Sequence, residues 1–285
     1  MVSAARPPAK GCLRPEVAAQ WRMRVSLPMY NLPAMQPANA AFWAAIRDEL
    51  GLDRAPTLPD FARPPVPAAI EADTLFSQVC GYPLQTIFRG QARLLGIPTY
   101  AWPFCGPLCH AGVFVVRGDS RFKGLEDLRG CHFVFNSLDS NSGMNLPRRA
   151  LAEIAGGRPF FARCDETGSQ PVNLERVAAC EADATCVDSV TFAFNTEHKP
   201  HLRGLRILAA TPPSPAIPFV TSAATPEPLY QALRAALLRV GHAPAHAAAR
   251  AGLHIAAIAP PEGTDYTIQL RYEAEAAALG YPALA

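Results

Sequence analysis

No run in this chain approaches the ~20 consecutive apolar residues of a membrane-crossing helix, so no membrane insertion is expected. Nor do its basic residues gather: 26 Lys and Arg against 24 Asp and Glu are scattered, leaving a net charge of +2. A nucleic-acid binder would carry a basic stripe, and none is expected as a partner. The start of the chain mixes Arg6, Lys10, Arg14, Glu16, Arg22 and Arg24 without a continuous apolar segment, so no secretory signal is visible. Cys12 after Gly11 resembles a lipoprotein cleavage site, but the apolar run that should precede it is missing. Residues 1–22 read as a mobile or loosely packed extension. Two localisations stay open: the cytoplasm, or export from a precursor with a different start.

Chemistry-bearing motifs are also scarce. G-x-S-x-G, H-E-x-x-H and the P-loop are all missing, so neither a cofactor nor an enzyme is expected. The eight cysteines make no C-x-x-C pair. Cys131, Cys180 and Cys186 sit in apolar settings and read as small buried hydrophobes. The segment from Cys105 through Cys109 to His110 leaves three readings: a disulfide set with Cys80, a zinc corner, or a loop with two thiols. Zinc wants four clustered ligands and only this cluster occurs, so no metal is expected. A disulfide among Cys80, Cys105 and Cys109 suits an exported protein. Cys80 at a strand end, with His110 as base, is the one candidate nucleophile.

What is present is a globular composition, 49% hydrophobic and 18% charged over 285 residues, enough for one large or two modest cores. Strand-like runs alternate with helical periodicity, the pattern of an α/β protein with helices on parallel sheets. Strands are predicted at 24–30, 74–79, 94–100, 112–117, 131–135, 159–163, 184–187 and 205–210. Helices are predicted at 39–50 with Gly51 as stop, near 144–155, at 173–180 and at 189–198, and the tail over 226–279 reads as helical. In open α/β sheets ligands gather beyond the carboxyl ends of strands. Tyr30, Cys80, Gly81, residues 136–143, Ser169 and Asp188 fall at such ends. The stretch 136–143 is the most pointed: Ser140, Asn141, Ser142 and Gly143 stand where a helix must begin. A helix N-terminus leaves N–H groups unpartnered and is a seat for an oxyanion. A plain N-cap explains the same residue types.

Leu128-Arg129-Gly130, Phe135-Asn136 and Asp139-Ser140-Asn141-Ser142-Gly143 together resemble the phosphonate- and phosphite-binding proteins that feed ABC importers. Ala178-Ala179-Cys180-Glu181-Ala182-Asp183-Ala184 with Val187-Asp188-Ser189, Ser77 to Leu84, and the closing Ala277 to Pro282 extend that resemblance over about residues 24–282. It implies a two-lobed type II periplasmic-binding-protein fold with two hinge crossings. The implied lobes are residues 24–112 plus 218–285, and 115–212, with crossings near 111–116 and 216–221. It further implies a monomer, in the periplasm, that captures a small phosphorus oxyanion and delivers it to the membrane subunits of an ABC importer. Ser140, Asn141 and Ser142 would grip the anion, Tyr30 would line the cleft, and Asp188 would face a P–OH or ammonium group of the ligand. Gly81 and Ser169 would complete the site. Asn141 stands where a hydroxyl residue is usual, and Gln170 follows Ser169 where histidine is common. The alternatives are an enzyme of the pyrimidine-synthase type on the same fold, using Cys80, and a cytosolic ligand-sensing module.

Overall fold

The computed structural model describes residues 23–63 and 70–285. The expected N-terminal extension with Cys12, and Pro64, Pro65 and Pro67 of a proline-rich stretch, lie outside them. The described chain opens with β1 (Arg24–Val25) and then α1 (Gln36–Leu50). Phe42, Trp43, Ile46 and Leu50 bury one helical face, Pro37 sits in the first turn, and Gly51 at φ +64° provides the left-handed stop. β2 (Thr74–Gln78), buried along its whole length, lies parallel to β1 and runs into the short α2 (Gly81–Gln85). β3 (Ala92–Tyr100), β4 (Cys105–Gly106), β5 (Cys109–His110) and β6 (Gly112–Arg117) follow. Next come β7 (His132–Phe135), α3 (Leu146–Ala155), β8 (Arg163–Glu166), α4 (Gln170–Ala178), β9 (Ala184–Asp188), α5 (Ser189–His198) and β10 (Leu205–Ala210). The chain closes with β11 (Ser214–Pro215), β12 (Phe219–Ser222), α6 (Glu227–His242), α7 (Ala247–Ala251), β13 (Ile255–Ala259) and α8 (Ile268–Ala278).

These strands form two five-stranded sheets, β1-β2-β12-β3-β13 and β10-β6-β9-β7-β8, and a small third one, β11-β5-β4. The chain leaves the first sheet after β3 and returns to it at β12. β6 is a full strand of the second sheet, paired antiparallel with β9 and β10, so residues 112–117 are not a crossing. Both passages between the sheets fall earlier than expected, where β4, β5 and β11 pair with one another. Each sheet has its own core. Phe42, Trp43, Phe76 and Phe219 stack beneath the first, and Phe114, Phe133 and Phe160 fill the second.

Three sequence expectations are corrected. The strand expected at 159–163 lies at β8. Phe160 and Phe161 are apolar for another reason: Phe161 stacks on Phe133 with centroids 4.4 Å apart, and both backbone N–H groups donate to the carbonyl of Ala285. β8 itself reads Arg-Cys-Asp-Glu, a sequence tolerated because it pairs on one side only, at the sheet edge. The tail is not all helical. β13 pairs antiparallel with β3, and its Ile-Ala-Ala-Ile-Ala run has no period that separates strand from helix. Finally, the segment from α8 onward, grouped by the sequence with the first lobe, puts Ala276, Tyr281 and Leu284 into the second core. α5 makes the opposite exchange: it follows a second-sheet strand, yet Val190 and Phe194 are buried in the first core.

Candidate functional site

Beyond the carboxyl ends of β7 and β9 lies a cavity of about 560 Å³. Its polar wall is built from the starts of helices. After β7 the chain turns at Ser140, whose Oγ accepts the Gly143 N–H at 2.9 Å. The next turn is widened to i→i+5 bonding, with the Asn145 N–H on the Ser140 carbonyl at 3.0 Å, a local irregularity frequent at functional sites. Gly143 is required there: a Cβ would collide with Asn136 Oδ1. α4 begins at Ser169, whose side chain makes no capping bond. Pro171 supplies no N–H and that of Asn173 is taken by the Ser169 carbonyl, which leaves those of Gln170 and Val172 for an anion.

Ser142 and Asp188 are joined through the side chain of Gln170. Gln170 Nε2 donates to Ser142 Oγ at 2.8 Å, and its Oε1 accepts the Asp188 N–H at 2.9 Å. The Ser142 hydroxyl proton is thereby left free to point at a ligand. The amide ties the turn before α3 to the end of β9.

Asp188 caps α5, its Oδ1 accepting from Val190 N at 2.6 Å and Thr191 N at 3.2 Å. Its Oδ2 accepts from Tyr30 Oη at 3.0 Å, and His110 Nδ1 lies 2.7 Å from the same oxygen, off the line of a good hydrogen bond. Burial pushes the carboxyl upward, but the neighbouring His110 and the two backbone N–H groups outweigh it and hold Asp188 below the usual carboxylate value. Both oxygens are engaged, so the carboxylate's main acceptor directions are already taken. Burial, and then the nearby Asp188 charge, raise the Tyr30 phenol well above its ordinary value. Tyr30 thus stays a donor. The same two causes push the Cys80 thiol up to about 12.

Of the residues expected at the site, Tyr30, Ser140, Ser142, Ser169 and Asp188 line the cavity, and so does Cys80. Asn141 and Gly81 do not. Asn141 donates from Nδ2 to Ser214 Oγ at 3.0 Å, tying the turn to β11. Gly81 is a glycine because Gln269 packs where its Cβ would be. The seven cysteines among the described residues are all free thiols, and no cluster of metal-ligating side chains occurs among those residues. Two contributors carry no sequence signal, and a third takes another role than the sequence suggests. His110, expected as a base for Cys80, stands behind Asp188. Arg63 and Phe194 line the cavity from segments that carried no motif.

Two lobes of mixed α/β structure with helix N-termini gathered at the cleft between them define an oxyanion-binding protein of the type II periplasmic class. The family described as ABC transporter, phosphonate, periplasmic substrate-binding protein matches residues 101–266, more than half of the chain. The protein belongs to that family. The fold is similar to that of a binding-protein component of an ABC phosphonate transporter from Pseudomonas aeruginosa, at a TM-score of 0.71 and 16% identity over 90% of this chain and 87% of that one. PhnD1 from Prochlorococcus marinus, solved with methylphosphonate, superposes at 0.65 and 16% identity over 89% of this chain and 97% of that one. XAC2383 from Xanthomonas citri bound to ATP does so at 0.65 and 19% identity over 90% and 98%. None of the curated proteins matches the sequence.

Proposed function

We propose that this cleft holds the oxyanion of a phosphonate-type ligand at the widened turn before α3 and the first N–H groups of α4. The observation that carries the reading is the convergence of Ser140, Ser142, Ser169 and Gln170 at two helix starts on one cavity wall. Ser140 and Ser142 donate hydroxyl protons to the anion, and Gln170 fixes Ser142. Asp188 acts one step back. It orients Tyr30, and its carboxylate is turned into the hydrogen bonds from Tyr30, Val190 and Thr191, which limits its repulsion of the ligand. Residues of the first sheet's side, Tyr30 foremost, close over the anion by rotation about the two passages between the sheets, a movement usual for this class. The closed form is what membrane subunits of an importer would recognise, with the protein acting as a periplasmic monomer.

A catalytic role for Cys80 is disfavoured: a thiol raised to about 12 supplies almost no thiolate at neutral pH. Methylphosphonate in PhnD1 and ATP in XAC2383 indicate that this fold does not by itself set the size of the ligand. The test is calorimetric titration of the protein with methylphosphonate, phosphite, phosphate and taurine. Binding of a phosphorus oxyanion, abolished or weakened at least tenfold in Ser140→Ala/Ser142→Ala, is the expected result. Unchanged affinity in the double variant removes this wall from the mechanism.

A further inference from the structure

Backbone N–H groups can only donate, and at the anion seat they dictate the direction of every hydrogen bond. The Asp188 N–H meets Gln170 Oε1 at 2.9 Å, so that end of the amide is its oxygen and the other its nitrogen. Nε2 then donates to Ser142 Oγ at 2.8 Å. The Gly143 N–H does the same to Ser140 Oγ at 2.9 Å. Each hydroxyl oxygen accepts from the protein, and each serine keeps its own proton to give. The N–H groups of Gln170 and Val172 at the start of α4 add two more donors.

The buried acceptor beside them is closed to a ligand. Asp188 Oδ1 accepts from Val190 N and Thr191 N, and Oδ2 accepts from Tyr30 Oη. A carboxylate has about four lone-pair sites; His110 Nδ1 stands 2.7 Å from the oxygen that carries the last of them. Two further carboxylates line the cavity, Asp139 and Glu166. Glu166 is exposed and Asp139 half-buried, so solvent hydrates and screens both, whereas Ser140 and Ser142 are buried. Arg63, on the same cavity, is a donor at every pH.

We propose that the seat selects the fully ionised head group, a phosphonate dianion whose three oxygens are all acceptors, and discriminates against the monoanion. The P–OH proton of a monoanion would face the serine hydroxyls and the α4 N–H groups, donor against donor, and a buried donor without a partner is costly. This deepens the oxyanion reading and rests on it. Asp188 then receives neither a P–OH nor an ammonium group from the ligand. Its backbone N–H sets the amide of Gln170, Gln170 sets Ser142, and the specificity for protonation state follows from that relay.

The experiment is calorimetric titration of the full chain with methylphosphonate at pH steps spanning the ligand's second ionisation, ~6 for a phosphomonoester and higher for an alkylphosphonate. It is repeated with chloromethylphosphonate, whose electron-poor carbon lowers that ionisation. Affinity scales with the competent fraction of ligand, so the dissociation constant should fall about tenfold per pH unit below the ionisation and level off above it. The chloro compound should reach its plateau at lower pH. Gln170→Leu frees the Ser142 hydroxyl to turn and accept, and its profile should level off on the acid side too, as the monoanion begins to bind; a folding defect would lower affinity alike at every pH. Affinity that is flat, or that rises toward acid, overturns the proposal and leaves the oxyanion reading standing. A midpoint shared by both ligands assigns the titration to the protein, His110 foremost, and overturns it as well. An unchanged profile in Gln170→Leu removes Gln170 as the residue that sets the polarity. If neither phosphonate binds at any pH, the oxyanion reading itself fails.

Discussion

Replacing Asp188 by alanine cuts four contacts at once. The α5 cap to Val190 and Thr191 goes, worth about 1 kcal/mol, and Tyr30 Oη and His110 lose their shared oxygen. Asp188 is 2% exposed, so water does not replace it, and each lost hydrogen bond to a charged group costs about 1.5–3 kcal/mol. These contributions overlap in one network and are not summed. An expected loss of about 3–5 kcal/mol, divided by a urea slope of about 3 kcal/mol/M, moves the unfolding midpoint down by ~1–1.7 M. The assay is urea unfolding followed by tryptophan fluorescence and by circular dichroism, which must coincide for the slope to be used. Tyr30→Phe alone should cost about 1.5–3 kcal/mol, the range for a hydrogen bond to a charged group, and should cost nearly nothing in the Asp188→Ala background. A midpoint shift under ~0.3 M for Asp188→Ala, or full additivity with Tyr30→Phe, refutes the claim that Asp188 clasps Tyr30 across the cleft.

Acid should act on the same group. The folded Asp188 value lies below its ordinary one, so its contribution is present above about pH 4 and is lost as pH falls through the folded value; the stability gap between wild type and Asp188→Ala should narrow only below that point, as read by urea unfolding at stepped pH. Ser140→Ala/Ser142→Ala removes two hydrogen bonds to an anion at ~1.5–3 kcal/mol each, and calorimetry should show at least a tenfold weaker oxyanion. Gly143→Ala forces a methyl into Asn136 Oδ1 and against Ser140 Oγ; a loss of about 1–3 kcal/mol, with weakened binding, is expected by thermal unfolding and titration. At pH 7 iodoacetamide should label exposed Cys180 well before Cys80, with peptide mapping as the readout; prompt labelling of Cys80 would contradict its raised thiol value and reopen the nucleophile reading.

The sequence by itself settled what depends on neighbours a few residues away. Gly51 stopping α1, Asp188 at the start of α5, and the strand–turn–helix at 132–155 follow from cap chemistry and apolar periodicity, and these local signals place serines at a strand end. It could not say which apolar run faces which partner. Phe160 and Phe161 read as a strand because hydrophobicity alone does not distinguish a sheet from a contact with Phe133 and the chain terminus. The strand of charged residues beside β7 was invisible because an edge position relaxes the demand for apolar side chains. Long-range contacts decided the site in the same way. Tyr30 and Asp188 are 158 residues apart and meet at 3.0 Å, Asn141 is turned away by Ser214, and Gln170 links Ser142 to Asp188. A helix cap is a property of adjacent residues, whereas a cleft wall exists only once two sheets and the chain passing between them are packed.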